Sequence, residues 1–167
     1  MTNDDTIQVL TTGGTIDKQY FDSLSEYQIT DTIVTRLLEI ARVTQPHRVE
    51  EMFRKDSNDL SEEDRAALVA RIRADEAKRF VITHGTDTMT VTAESLSGIP
   101  GKVIILVGAF TPARFAESDA VFNLGMAFAA AQTAAPGVYI AMNGTISNAA
   151  EVVKDRAKGA FVRRDAQ

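Results

Sequence analysis

Three short polar segments hold most of the side chains that could do chemistry in this 167-residue chain. Thr11-Thr12-Gly13-Gly14-Thr15-Ile16 crowds three hydroxyls around a glycine pair, directly behind the apolar run Ile7-Gln8-Val9-Leu10. Neither glycine has a Cβ, so a turn here can be sharp and a ligand can approach the main chain closely. Asp56-Ser57-Asn58-Asp59 offers two carboxylates, a hydroxyl and an amide, and His84-Gly85-Thr86-Asp87-Thr88 adds two hydroxyls, a carboxylate and an imidazole. Hydroxyls beside carboxylates suit nucleophilic attack with proton transfer, provided that a base lies within reach. The segment after the first strand lacks the Lys-Ser/Thr ending of a phosphate loop and the Gly-x-Gly-x-x-Gly spacing of a dinucleotide turn, which argues against nucleotide binding. Alone, it would read equally well as a tight turn with solvated threonines.

The elements that must position these segments follow from hydrophobic patterning. Thr6 to Leu10, Arg48 to Phe53, Phe80 to Thr83, Val103 to Val107 and Val138 to Met142 read as five strands, the last three as near-continuous apolar runs covered on both faces. Helices are predicted from Asp31 through Ile40, after a Ser61 cap with Asp64 in the capping-box position, over Thr90 to Leu96 and over Ala120 to Thr133. Asp17 to Gln28, with Tyr20, Phe21 and Tyr27, reads as a loop or small hairpin that could fold over a site. Strands alternating with helices predict an α/β, flavodoxin-like, doubly wound and mostly parallel sheet in the order 2-1-3-4-5. In that order the polar segments following strands one, two and three lie side by side at the carboxyl edge, which predicts one composite pocket.

Composition narrows the partners. Eighteen Lys and Arg against 23 Asp and Glu give a formal charge of −5, unfavourable for nucleic acid or an anionic membrane surface. A small-molecule substrate is the expected partner. No cysteine is present, which removes thiolate catalysis and disulfides, and the only histidines, His47 and His84, stand in different segments, so no metal site and no cofactor are expected. The start Met1-Thr2-Asn3-Asp4-Asp5 is acidic and leads directly into a strand, without the basic start and apolar stretch of a secretory leader, and the expected compartment is the cytoplasm.

Val81-Ile82-Thr83-His84-Gly85-Thr86-Asp87-Thr88-Met89 resembles the second signature of the bacterial-type asparaginase and glutaminase family, and Leu10 to Ile16 resembles its first. Asp56-Ser57-Asn58-Asp59 is similar to the family's substrate loop, Val107-Gly108-Ala109 with Pro112 to its next turn, Phe122-Asn123-Leu124 to the following helix, and Met142-Asn143-Gly144-Thr145 with Val153-Lys154 to the segment carrying a catalytic lysine. These matches cover almost the whole chain in the right order.

The resemblance implies an L-asparaginase that hydrolyses L-asparagine to L-aspartate and ammonia through a threonine acyl-enzyme. It assigns Thr12 as nucleophile, Thr86, Asp87 and Lys154 as a second catalytic group, Ser57 as the grip on the substrate α-carboxylate, and Gly14, Thr15, Asp56, Asn58 and Gly85 to substrate binding. Asn58 stands where many relatives have glutamine. Lys154 accepts a proton only as the neutral amine, a form favoured by burial or a cationic neighbour and opposed by Asp87. Which group acts as base in each half-reaction stays open. Tyr20 and Tyr27 are both candidates for the tyrosine that orients the nucleophile, and Asp87 is also a candidate for the substrate ammonium.

Typical members continue into a second domain whose acidic residue holds that ammonium across a subunit interface. Residues 1–167 are expected to form one domain of the amino-terminal type with no second domain, so Asp56, Asp59 or a partner subunit's carboxylate would take that role, and a homodimer or homotetramer is expected. Two alternatives are a non-catalytic amino-acid-binding module and a glutaminase or amidotransferase amidase subunit.

Overall fold

The computed structural model describes residues 5–164. Residues 1–4 of the acidic start and the last three, including Gln167, lie outside the described residues. A six-stranded sheet forms the centre. In chain order its strands are β1 (Ile7–Gly13), β4 (His47–Lys55), β5 (Arg79–Thr83), β6 (Val103–Val107), β7 (Gly137–Met142) and β8 (Thr145–Asn148). They lie in the order β4-β1-β5-β6-β7-β8, parallel except for β8, which pairs antiparallel with β7. The predicted five-strand order is therefore the observed one, extended by one antiparallel strand. The helices are α1 (Val34–Ile40), α2 (Glu62–Ala74), α3 (Met89–Leu96) and α4 (Ala120–Thr133).

Alternation along the strands divides the core between the two faces. Leu10, Phe80, Ile82, Ile104 and Leu106 pack with Leu68 and Ile72 of α2 and with Met89, Ala93 and Leu96 of α3. Val9, Val81, Ile105 and Val107 point the other way, against Leu37 and Leu38 of α1 and Leu124, Ala127 and Phe128 of α4. Every residue of β1 is buried. Burying a side chain the size of Phe80, which is fully inaccessible, contributes about 1.5–3 kcal/mol, so this double coverage explains why β6 is apolar throughout and β5 apolar from Phe80 to Ile82. The Ser61 cap forms as the spacing predicts: Ser61 Oγ accepts from the Asp64 amide at 3.1 Å, and Asp64 Oδ2 accepts from the Ser61 amide at 2.9 Å.

Two two-stranded sheets flank the carboxyl edge. Residues 17–28, open between loop and hairpin from sequence, form the hairpin β2 (Lys18–Phe21) and β3 (Glu26–Ile29). β9 (Val152–Asp155) and β10 (Ala160–Arg163) pair antiparallel near the chain's end. Register delivers the polar segments to one place: Thr11, Thr83 and Val107 are in-line partners, so the loops after β1, β5 and β6 leave the sheet at the same level. β4 ends beside them, with Lys55 opposite Gly13.

Candidate active site

The carboxyl end of β1 carries Thr12 at an irregularity in the sheet. Thr11 pairs with Glu51 of β4 and Gly13 with Lys55, so two steps along β1 match four along β4. Such a break re-aims the side chain it contains. Thr12 is buried, and its hydroxyl donates to the Thr83 carbonyl at 2.8 Å. Beyond it the Gly14 amide donates to the Lys55 carbonyl at 3.0 Å, and Thr15 opens a short 3-10 turn ending at Asp17.

Close main-chain approach brings three segments into one wall. Gly14 has φ +81°, and a Cβ there would lie 2.5 Å from the Gly85 nitrogen. A Cβ on Gly85 would in turn lie 2.7 Å from Ser57 Cβ. Only glycine at both positions lets the three loops stack at this distance. Ser57, 1% exposed, is held by Thr88: its Oγ accepts from the Thr88 amide at 3.3 Å, and its carbonyl accepts from the Thr88 hydroxyl at 2.7 Å.

Lys154 enters from β9. Its Nζ donates to Thr86 Oγ1 and to Asp87 Oδ1, both at 2.7 Å, and lies 5.5 Å from the centre of the Phe110 ring. Because the lysine donates to the Thr86 oxygen, the Thr86 proton is free to point elsewhere. Asp87 Oδ2 accepts from Asn58 Nδ2 at 3.1 Å. The hydrogen bond from Lys154, with further help from Asn58, holds the Asp87 carboxyl below its ordinary range against a smaller opposing effect of burial. Asp56 caps the 3-10 turn Ser57–Asp59 through the Asn58 amide at 3.1 Å and faces Lys18 of β2 at 3.5 Å.

The structure thus brings together Thr12, Gly14, Asp56, Ser57, Asn58, Gly85, Thr86, Asp87 and Lys154. Taken alone, Lys154 would be a solvated lysine like Lys158. Instead it stands on a strand, half-buried, with two site residues as partners. No hydrogen bond joins it to Thr12 among the described residues. Tyr20 and Tyr27 face each other across the hairpin, ring centres 5.0 Å apart and 44% and 51% exposed, and neither hydroxyl bonds to Thr12. The Lys18–Asp56 pair links the base of that hairpin to the site.

Several supporting contacts form only in the fold. His84 is fully buried between the Gly85 carbonyl, 2.6 Å from Nδ1, and Thr92 Oγ1, 2.7 Å from Nε2. Arg65 Nε, which can only donate, gives its proton to the same Thr92 oxygen at 3.1 Å. The Gly85 carbonyl can only accept, so Nδ1 carries the ring proton, and in the neutral ring the Thr92 hydroxyl donates to Nε2. Burial brings the His84 pKa down to about 4, consistent with this neutral ring. Arg65 also donates to the Leu60 carbonyl at 3.0 Å, bracing the segment after Ser57. Asn123 of α4 donates to the Gly108 carbonyl at 3.0 Å and fixes the turn after β6. Among the described residues no group of three or more His, Asp or Glu could hold a metal ion, and no helix is long and apolar enough to cross a membrane.

A doubly wound α/β domain with hydroxyl, carboxylate and lysine groups gathered at the carboxyl edge, beside the switch point between β1 and β5, is the class that fold and site define. The chain belongs to the asparaginase family: residues 6–163 match the model described as Asparaginase, N-terminal. It is 33% identical over 160 residues to a probable periplasmic L-asparaginase of Haemophilus influenzae, covering 89% of this chain and 46% of that protein. It is 47% identical over 96 residues to a glutamyl-tRNA(Gln) amidotransferase subunit of Methanococcus vannielii, covering 54% of this chain and 22% of that one. The thermostable L-asparaginase of Thermococcus kodakarensis superposes with a TM-score of 0.85 at 28% identity, over 97% of this chain and 52% of that structure. The chain spans less than half the length of these two curated relatives.

Proposed function

We propose that this domain hydrolyses the side-chain amide of L-asparagine, releasing L-aspartate and ammonia. One observation carries the reading: Lys154 Nζ sits 2.7 Å from both Thr86 Oγ1 and Asp87 Oδ1, joining a lysine, a hydroxyl and a carboxylate at the sheet edge where β1 carries Thr12. In this scheme Thr12 Oγ attacks the amide carbon, the C–N bond of the tetrahedral adduct breaks, and ammonia leaves with a proton supplied in the site. Water then adds to the resulting ester and frees the acid, restoring Thr12. Thr86, Asp87 and Lys154 form the proton-handling group, since the Thr86 hydroxyl is free to donate while Lys154 holds its oxygen. Ser57 and Asn58 contribute to the substrate grip, with Gly14, Thr15, Asp56 and Gly85 shaping the pocket. The working unit is a homodimer or homotetramer, a reading supported by the exposed apolar side chains Val121 and Phe122 on α4.

Ammonia release from L-asparagine tests the proposal. The Thr12→Ala and Lys154→Met variants should each lose at least about 10³ in kcat/KM while retaining the wild-type unfolding transition. Near-normal turnover by Thr12→Ala would sink the acyl-enzyme scheme. The 47% identity to an amidotransferase subunit over 96 residues favours a second reading, an amidase that passes ammonia to a partner protein. Turnover of free L-asparagine by the isolated chain separates the two.

A further inference from the structure

Asp87 does not have Lys154 alone as its cationic partner. Arg156, two residues along the chain, places Nη2 3.3 Å from Asp87 Oδ1, the same oxygen that Lys154 contacts at 2.7 Å. Its position is built by the turn between β9 and β10. Asp155 Oδ1 accepts from the Ala157 and Lys158 amides at 3.0 and 3.1 Å, and Asn143 Oδ1 accepts from the Phe161 amide at 2.9 Å. The turn is thus pinned on both sides while the Arg156 side chain, 73% exposed, stays free to swing. With Asn58 on Oδ2, both oxygens of Asp87 already have partners from this chain. Asp56, the other carboxylate at this wall, faces Lys18.

A substrate ammonium that uses Asp87 meets the positive charge of a guanidinium already held 3.3 Å from Oδ1. We infer that Arg156 is a specificity-determining residue: it weakens the pocket's grip on a substrate α-ammonium and so widens the substrate class to monoamides of dicarboxylic acids that have a carboxylate but no ammonium. The inference rests on the amide-hydrolysis reading above and deepens it. A residue with a purely structural role would change turnover of both kinds of amide alike. Arg156 changes their ratio.

The test compares kcat/KM for L-asparagine and for succinamate, which has the same amide and carboxylate without the ammonium, in wild type, Arg156→Met and Arg156→Lys. The asparagine-to-succinamate ratio should rise about three- to fivefold in Arg156→Met, the scale of a solvent-exposed ion pair, and stay near wild type in Arg156→Lys. The rise should shrink in about 0.5 M salt. An unchanged or lowered ratio in Arg156→Met overturns the inference. Should the wild-type chain hydrolyse neither amide, the hydrolase reading fails by itself, and competition between L-aspartate and succinate in titration calorimetry still decides the role of Arg156, with the same ratio expected in affinities. Binding of neither acid would overturn both.

Discussion

Replacing Gly85 by alanine is the sharpest test of the idea that loop spacing builds the site. Gly85 needs no unusual backbone angle, so the effect is steric: the new Cβ would stand 2.7 Å from Ser57 Cβ and 2.8 Å from Ser57 Oγ. Ser57 is buried and tied to Thr88 by two hydrogen bonds, so it has nowhere to retreat. Restoring ordinary contact requires the loops to part by about 0.7 Å, an overpacking strain worth roughly 1–3 kcal/mol. For a chain of this size that is a fall in melting temperature of about 3–10 °C. The same displacement moves Thr86 and Asp87 relative to Thr12, and a misplacement approaching about 1 Å costs roughly 10² in kcat/KM. Gly125→Ala is the control, because a Cβ there meets nothing within 4 Å on the exposed side of α4; it should gain about 1 kcal/mol from helix propensity and leave turnover unchanged. Ammonia release and thermal unfolding of both variants decide the matter. A Gly85→Ala protein that melts early but keeps its full kcat/KM would refute the argument.

Further outcomes follow from the buried polar groups. Burial raises the Asp17 pKa to about 6, only partly offset by the Ile33 amide donating to Oδ1 at 2.9 Å, so the folded state holds this proton more tightly than the unfolded chain, and stability falls as pH rises from about 4 to 6. His84, lowered to about 4, works in the opposite sense: its contribution is lost as pH falls from about 6.5 to 4. The two nearly cancel between about pH 4 and 6, so Asp17→Asn, which mimics the protonated acid, should raise stability at about pH 7.5 by about 2–3 kcal/mol and expose a steeper acid decline; urea titrations at about pH 7.5, 6 and 5 check both. The Thr11 and Thr83 hydroxyls are buried without hydrogen-bond partners among the described residues, so Thr11→Val, which keeps the branched shape of a strand residue, should stabilise the fold by about 1 kcal/mol or more in urea unfolding; a loss of stability would mean that the hydroxyl is satisfied.

The sheet order was legible because strands alternate with helices, and because β5, β6 and β7 are near-continuous apolar runs between turn signals, the mark of parallel strands covered on both faces. The gathering of the polar segments at the carboxyl edge then followed from topology. β8, β9 and β10 were not legible as strands, being four residues long and only partly buried, so neither length nor alternation marks them. The matching of Thr12, Thr86, Asp87 and Lys154 to family motifs named the residues, but a link across 67 positions between Lys154 and Asp87 is a tertiary fact. Arg65 and Arg156 carry no local signal at all. Each matters through contacts that only the fold creates. Tyr20 and Tyr27, equally suited to the site from sequence, pack against each other across the hairpin.

In the wall made by Gly14, Gly85 and Ser57, main chain lies against main chain at Gly14 and Gly85 and the small Ser57 side chain closes on Gly85, and this limits how the site can be redesigned. Specificity is usually altered by trading side chains, and here the innermost surface has almost none to trade. Variation can enter only from the rim, at Asn58, Lys18 and Arg156, where a substitution changes charge or reach without parting the loops. A library aimed at new amides should therefore leave the glycines untouched and concentrate its diversity on those three positions.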